Sequence, residues 1–124
     1  MASAKRHREK AAENEVLYQE LKAGSPARPD WALTVLFYAA VHEIIAFLRV
    51  NQTTVDSYGA FPKRHSEVIS LLSDHAPWSP LADQYKTFLI WSSRARYDLW
   101  EPGETDLKIA ELQLQMVRDF IAAA

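Results

Sequence analysis

Apolar residues recur along this chain at the three- and four-residue spacing of helix faces, and glycine and proline break the pattern at a few points. The glycines are Gly24, Gly59 and Gly103, and the prolines Pro26, Pro29, Pro62, Pro77, Pro80 and Pro102. Between them the pattern predicts an all-α antiparallel up-down bundle of four to five helices in a single domain, 1–124. The first helix runs from about Ser3 to Ala23, with Ser3 as its N-cap and Gly24 as its stop. Its inward face is Ala11, Asn14, Leu17, Tyr18 and Leu21. The second opens at Asp30 as N-cap, ends near Val50, and is apolar nearly all round, as a central helix is. One stripe holds Trp31, Val35, Tyr38, His42 and Ile45, and Leu36, Ala39, Ala40, Glu43 and Phe47 cover much of the rest. The small pair Ala39-Ala40 suits close approach of another helix.

Residues 51–64 read as a long loop, and loops of that length in compact domains are often functional. A short third helix spans about His65 to Ser73. The fourth runs from about Leu81 to Tyr97 with Leu81, Tyr85, Phe88, Ser92 and Ala95 inward. The last, from about Glu104 to Ala122, carries two stripes. One is Leu107, Ala110, Leu114, Val117 and Ile121; the other is Ile109, Leu112, Met116 and Phe120. At 100° per residue the two cover more than half the circumference, so this helix needs two neighbours or a second subunit, and a homodimer is expected.

Composition narrows the picture. The 124 residues suit one domain and suffice to bury a core without staples. There is no cysteine, which removes disulfides, thiolate metal sites and a cysteine nucleophile. A net charge of -2 excludes a globally basic nucleic-acid binder, so such binding needs a local patch. The basic start, Lys5, Arg6, His7 and Arg8, has the wrong sign for a helix N-terminus, and residues 1–10 are expected to fray. No apolar stretch follows it to make a signal peptide. Trp31 to Leu48 nearly reaches membrane-spanning length, but it holds His42 and Glu43, which are costly in lipid. A core helix, no membrane and a cytoplasmic location are the expectation.

Chemistry-bearing residues are few. No phosphate loop, dinucleotide fingerprint or zinc-protease motif is present, so no cofactor is indicated. The four histidines, His7, His42, His65 and His75, do not pair at helical metal-site spacing, and no metal site is assigned. His42, inside an apolar helix, is either a core histidine bonded to a hydroxyl or carbonyl, or a cleft residue beside Tyr38. Lys63-Arg64-His65 is either a solvated helix entry or an anion site at a helix N-terminus. Ser92-Ser93-Arg94-Ala95-Arg96-Tyr97-Asp98 is the most informative segment. Its arginines either cap the helix with an Arg–Asp pair or clamp phosphate, with Tyr97 free to stack on a base.

Three stretches in order bring a family into view. They are Phe37-Tyr38-Ala39-Ala40-Val41-His42, His65 to Leu72, and Ser93 to Asp98, followed by Thr105-Asp106-Leu107-Lys108. Their order and spacing resemble the HEPN superfamily of prokaryotic helical domains, over about Asp30 to Ile121. The resemblance implies a bundle that dimerises and a role among nucleotide- or RNA-binding modules, nucleotidyltransferase partners and ribonuclease toxins of toxin–antitoxin and anti-phage defence systems. It also implies a nucleotidyltransferase or antitoxin as a protein partner. The family's nuclease branch carries R-x(4–6)-H, and this chain has no such motif. Arg96-Tyr97 is similar to the arginine-tyrosine element of the nucleotide-binding branch.

The expectation is therefore a homodimeric nucleotide- or RNA-binding module, with Arg64, Arg94 and Arg96 on phosphate and Tyr97 and Tyr38 beside them. The alternatives are a metal-independent ribonuclease using His42 or His65 as acid or base, and a purely structural interaction protein.

Overall fold

The computed structural model of the protein describes residues 3–51 and 64–124. Among the described residues five helices pack together and there is no strand. They are α1 (Ala4–Ala23), α2 (Pro29–Val50), α3 (His65–Asp74), α4 (Ser79–Tyr97) and α5 (Glu104–Ala123), with a 3-10 turn at Ala76–Trp78 before α4. The loop expected over 51–64 lies, from residue 52 to residue 63, outside the described residues.

Helix α2 is the hub. It packs against α1, α4 and α5, while α3 lies on α4. The apolar circumference read from its sequence is used: Leu33, Leu36, Phe37, Ile44 and Leu48 are fully buried with Phe88 of α4 and Val117 of α5. Each such side chain contributes roughly 1.5–3 kcal/mol by leaving water. Ala39 and Ala40 are buried as well, and alanines there keep the helix surface flat enough for a neighbour to close on it. This helix is long and apolar enough to cross a membrane, and 67% of its most apolar window is buried among the other helices.

The helix ends follow local chemistry. Ser3 caps α1, its hydroxyl accepting the N–H of Arg6. Within the stretch expected to fray, α1 is helical from Ala4, and Glu9 and Glu13 hold Arg6 while Glu13 also holds Lys10. Gly24 ends the helix where a Cβ would sit 3.0 Å from the Glu20 carbonyl oxygen, so a larger residue would force the chain away. The start of α2 corrects the expectation. Pro29, not Asp30, opens the helix after Arg28, and Asp30 sits in the first turn, where its charge suits the dipole. At α5 the Asp106 carboxylate accepts the Gly103 N–H at 2.8 Å, closing the first turn.

Two polar ties join α1 to α5. The Arg118 guanidinium forks onto both Glu15 oxygens at 2.8 and 2.6 Å and also reaches Glu43 of α2 at 3.2 Å. Glu111 accepts the Tyr18 hydroxyl and the Lys22 ammonium. Burial, and then the Glu111 carboxylate, hold the Tyr18 phenol above its usual range.

The inward face of α4 is as expected. On α1 Leu17 points outward instead of inward, and on α2 Trp31 is more than half exposed. The first stripe of α5 is core from Leu107 to Val117, with Ile121 partly buried at its end. Its second stripe stays open to solvent, Leu112 being 65% and Met116 54% exposed, with Phe120 partly covered.

Candidate functional site

His65 is the first residue of α3, and the turn of chain that starts this helix lays its ring against α2 and α4. Its Nδ1 lies 2.5 Å from the Tyr85 hydroxyl of α4. The ring also packs on Phe37 of α2, centroids 5.6 Å apart, and Phe37 meets Tyr85 edge-on at 5.7 Å. Burial and then the positive charge of Arg96 lower the His65 pKa, which favours the neutral ring. Burial, and next the neighbouring Tyr38, push the Tyr85 phenol up, so it keeps its proton and remains a hydrogen-bond partner for the imidazole. Tyr38, His65, Tyr85 and Arg96 thus share one neighbourhood, built where α2, α3 and α4 meet.

Around the end of α4 the two arginines are positioned by aromatic rings. The Arg96 guanidinium carbon sits 5.1 Å from the centroid of the Tyr97 ring, and its Nε donates to the Ser92 carbonyl at 3.3 Å. The Arg94 guanidinium carbon sits 4.6 Å above the Trp100 ring, which is braced by Trp91 at 5.7 Å. Tyr97 is 74% exposed. Of the two readings of this segment, the Arg–Asp pair is absent among the described residues. Asp98 closes the helix through its N–H, which donates to the Arg94 carbonyl at 3.0 Å.

A cleft of about 280 Å³ adjoins these arginines, lined by Ala27, Arg28, Pro29, Asp30, Ala95, Arg96, Leu99, Trp100 and Glu101. It lies between the α1–α2 turn and the α4–α5 turn. Leu99, on its rim, has φ 56° and is 94% exposed. A leucine in the left-handed region with its side chain in water is disfavoured on both counts, and such conformations gather at binding sites. The cleft is mixed in charge, with two guanidiniums opposed by two carboxylates.

His42 is elsewhere. Its partner is neither hydroxyl, carbonyl nor Tyr38, but a second imidazole: Nδ1 of His42 and Nδ1 of His7 on α1 are 2.9 Å apart, with the rings stacked at 5.2 Å. The charges acting on His42 come from His7, Lys10 and Arg6, whereas the charge acting on His65 comes from Arg96. The two histidines therefore stand in separate settings and do not form one acid–base pair. Arg64 is highly exposed and leans toward Glu67 at 3.9 Å, so it flanks His65 along the chain without closing on it. Lys63 of the same basic cluster lies outside the described residues.

Sequence reasoning missed His7, Arg28 and Trp100. Nothing local marks His7, because its partner lies 35 residues away. Arg28 and Trp100 could have been found as a cation and an aromatic in the turns flanking α2 and α5. Among the described residues no three His, Asp or Glu side chains converge as a metal site. Compared with family models, curated proteins and solved structures, the chain matches none.

Proposed function

We propose that the protein is a nucleotide- or RNA-binding module, HEPN-like in its bundle topology, that takes phosphate at the end of α4. One observation carries this reading. Among the described residues, Arg94 and Arg96 are each laid against an aromatic ring and neither has a carboxylate within ion-pairing distance. Arg6, Arg64 and Arg118 each have one. Arginines held against rings lose little entropy on meeting phosphate oxygens, and with the Arg96 Nε already donating to the Ser92 carbonyl it is the terminal N–H groups that are offered to them. Tyr97, largely exposed, offers a face for a base, a contact that tolerates any base. Asp30 and Glu101 in the adjoining cleft suit hydroxyl and amino groups, which they can accept from.

Fluorescence anisotropy with a labelled single-stranded oligoribonucleotide tests the reading. Arg96→Ala is expected to weaken binding at least tenfold and to leave the melting temperature within a few degrees. Loss of the fold in that variant would make Arg96 structural and end the clamp reading.

The open second stripe of α5 supports a homodimer as part of the same proposal, since continuous apolar strips of that kind commonly mark interfaces. Met116→Glu is expected to convert a dimer to a monomer in light scattering without loss of helicity. A wild-type protein that scatters as a monomer at micromolar concentration overturns this part.

Metal-independent RNA cleavage is a second reading, and the position of His65 near Arg96 favours His65 over His42 as its acid or base. Cleavage that survives His65→Ala would dismiss it.

A further inference from the structure

We infer that the His7–His42 pair is an acid-sensitive latch, holding the first turns of α1 against α2 while at most one of the two rings is protonated and releasing them when both are. The geometry sets the condition. Two imidazole nitrogens 2.9 Å apart need one N–H and one lone pair between them. A neutral pair meets that need, and a single added proton can still be shared. A second proton removes the last lone pair facing the bond and puts two cations in contact.

The surroundings oppose that second charge. On α1, Arg6 and Lys10 face His42, and their carboxylate neighbours Glu9 and Glu13 are already engaged with them. On α2, Arg49 acts on His7, and Glu43, next to His42 in sequence, is held by Arg118 of α5 together with Glu15 of α1. Burial is the leading cause that lowers both histidines, and the nearby cations add to it. The two rings titrate as a coupled unit, so the release follows the pair rather than either ring.

The placement of the ties limits how far α1 opens. Its C-terminal half is joined to α5 through Tyr18–Glu111, Lys22–Glu111 and Glu15–Arg118. Its N-terminal turns have, among the described residues, only the His7–His42 bond as a side-chain link to another helix. Ala11, fully buried, is the next fixed point. Opening therefore runs from Ser3 to about Lys10. It would lift Arg8 from the roughly 290 Å³ recess it lines with Glu43, Ala46 and Val50, and bare that part of α2.

Hydrogen exchange on the full chain at pH 7.5 and pH 5, corrected for the intrinsic pH dependence of exchange, tests this. The amides of residues 8–10 are expected to lose at least tenfold in protection at pH 5 while those in the middle of α4 keep theirs. The His7→Gln variant, whose changed side chain lies near the helix end, and the His7→Gln/His42→Gln double variant should each flatten that difference. Unchanged protection of residues 8–10 in the wild type overturns the latch. So does equal loss across all helices, or a loss that persists unaltered in His7→Gln. Proton titration of the wild-type imidazoles by NMR provides a check independent of any variant: His7 and His42 must titrate in two linked steps, and independent single steps contradict the proposal.

Discussion

The molecule carries two histidine centres that a sequence reader would treat alike, and they differ in what they are bonded to. His65 meets a buried phenol that keeps its proton, beside one arginine, at the junction of three helices. His42 meets another histidine, among several cations, at the join of two. Both pKa values move down, and for the same leading cause, burial. The consequences diverge because a phenol partner adds no charge when the pH falls, whereas an imidazole partner does. The direction of a pKa shift therefore says less about a histidine's role than the titration of its partner does.

The contrast can be broken most forcefully by truncation. Tyr85 is buried and supports both Phe37 and His65, so Tyr85→Ala is expected to cost about 3–5 kcal/mol in urea unfolding. His42→Ala, at a partly buried position, should cost much less. Equal losses would mean that the two centres matter equally to the fold.

Acid comes next. The folded-state pKa values of His7, His42 and His65 all lie below the ordinary histidine value, so the unfolded chain takes up protons first as the pH falls. Their contribution to stability is fully present above about pH 6.5 and is lost progressively below it. Urea melts between pH 7.5 and 5 should show falling stability, and the His7→Gln/His42→Gln double variant a shallower fall. A melt curve flat across that range would contradict the directions assigned to all three.

The smallest expected effect is at the cleft rim. Leu99→Gly relieves the left-handed backbone and removes an exposed apolar side chain, and is expected to gain about 1 kcal/mol, less what the more flexible unfolded glycine gives back. A loss of stability would show that Leu99 packs against something that offsets its strain.

Most of the helical framework was legible from residues alone. Periodicity placed all five helices within a few residues of their ends, because an apolar face and a cap are local properties. The inward face of α4 and the first stripe of α5 followed from the same rule. Leu17 was misplaced because the rule fixes a face's width only loosely. Asp30 was misplaced because a proline at the first helical position already supplies the start. The site was less legible. Arg94, Arg96 and Tyr97 stood out as an anomaly of composition at a helix end, but that they would be free of carboxylates depended on where Asp98 turned. Partnerships such as His7–His42, His65–Tyr85 and Arg118–Glu15 join residues 20 to 103 positions apart, and they arise only from packing.

The central claim is that the arginines at the end of α4, and not the cationic end of α1, receive phosphate. NMR of the side-chain Nε–H groups of arginine during titration with adenosine monophosphate tests it most directly. The account predicts saturable shifts at Arg96 and Arg94 with little change at Arg6, Arg49 or the His7 and His42 rings. Shifts confined to the α1 end, or none at Arg96 at saturating nucleotide, would contradict it.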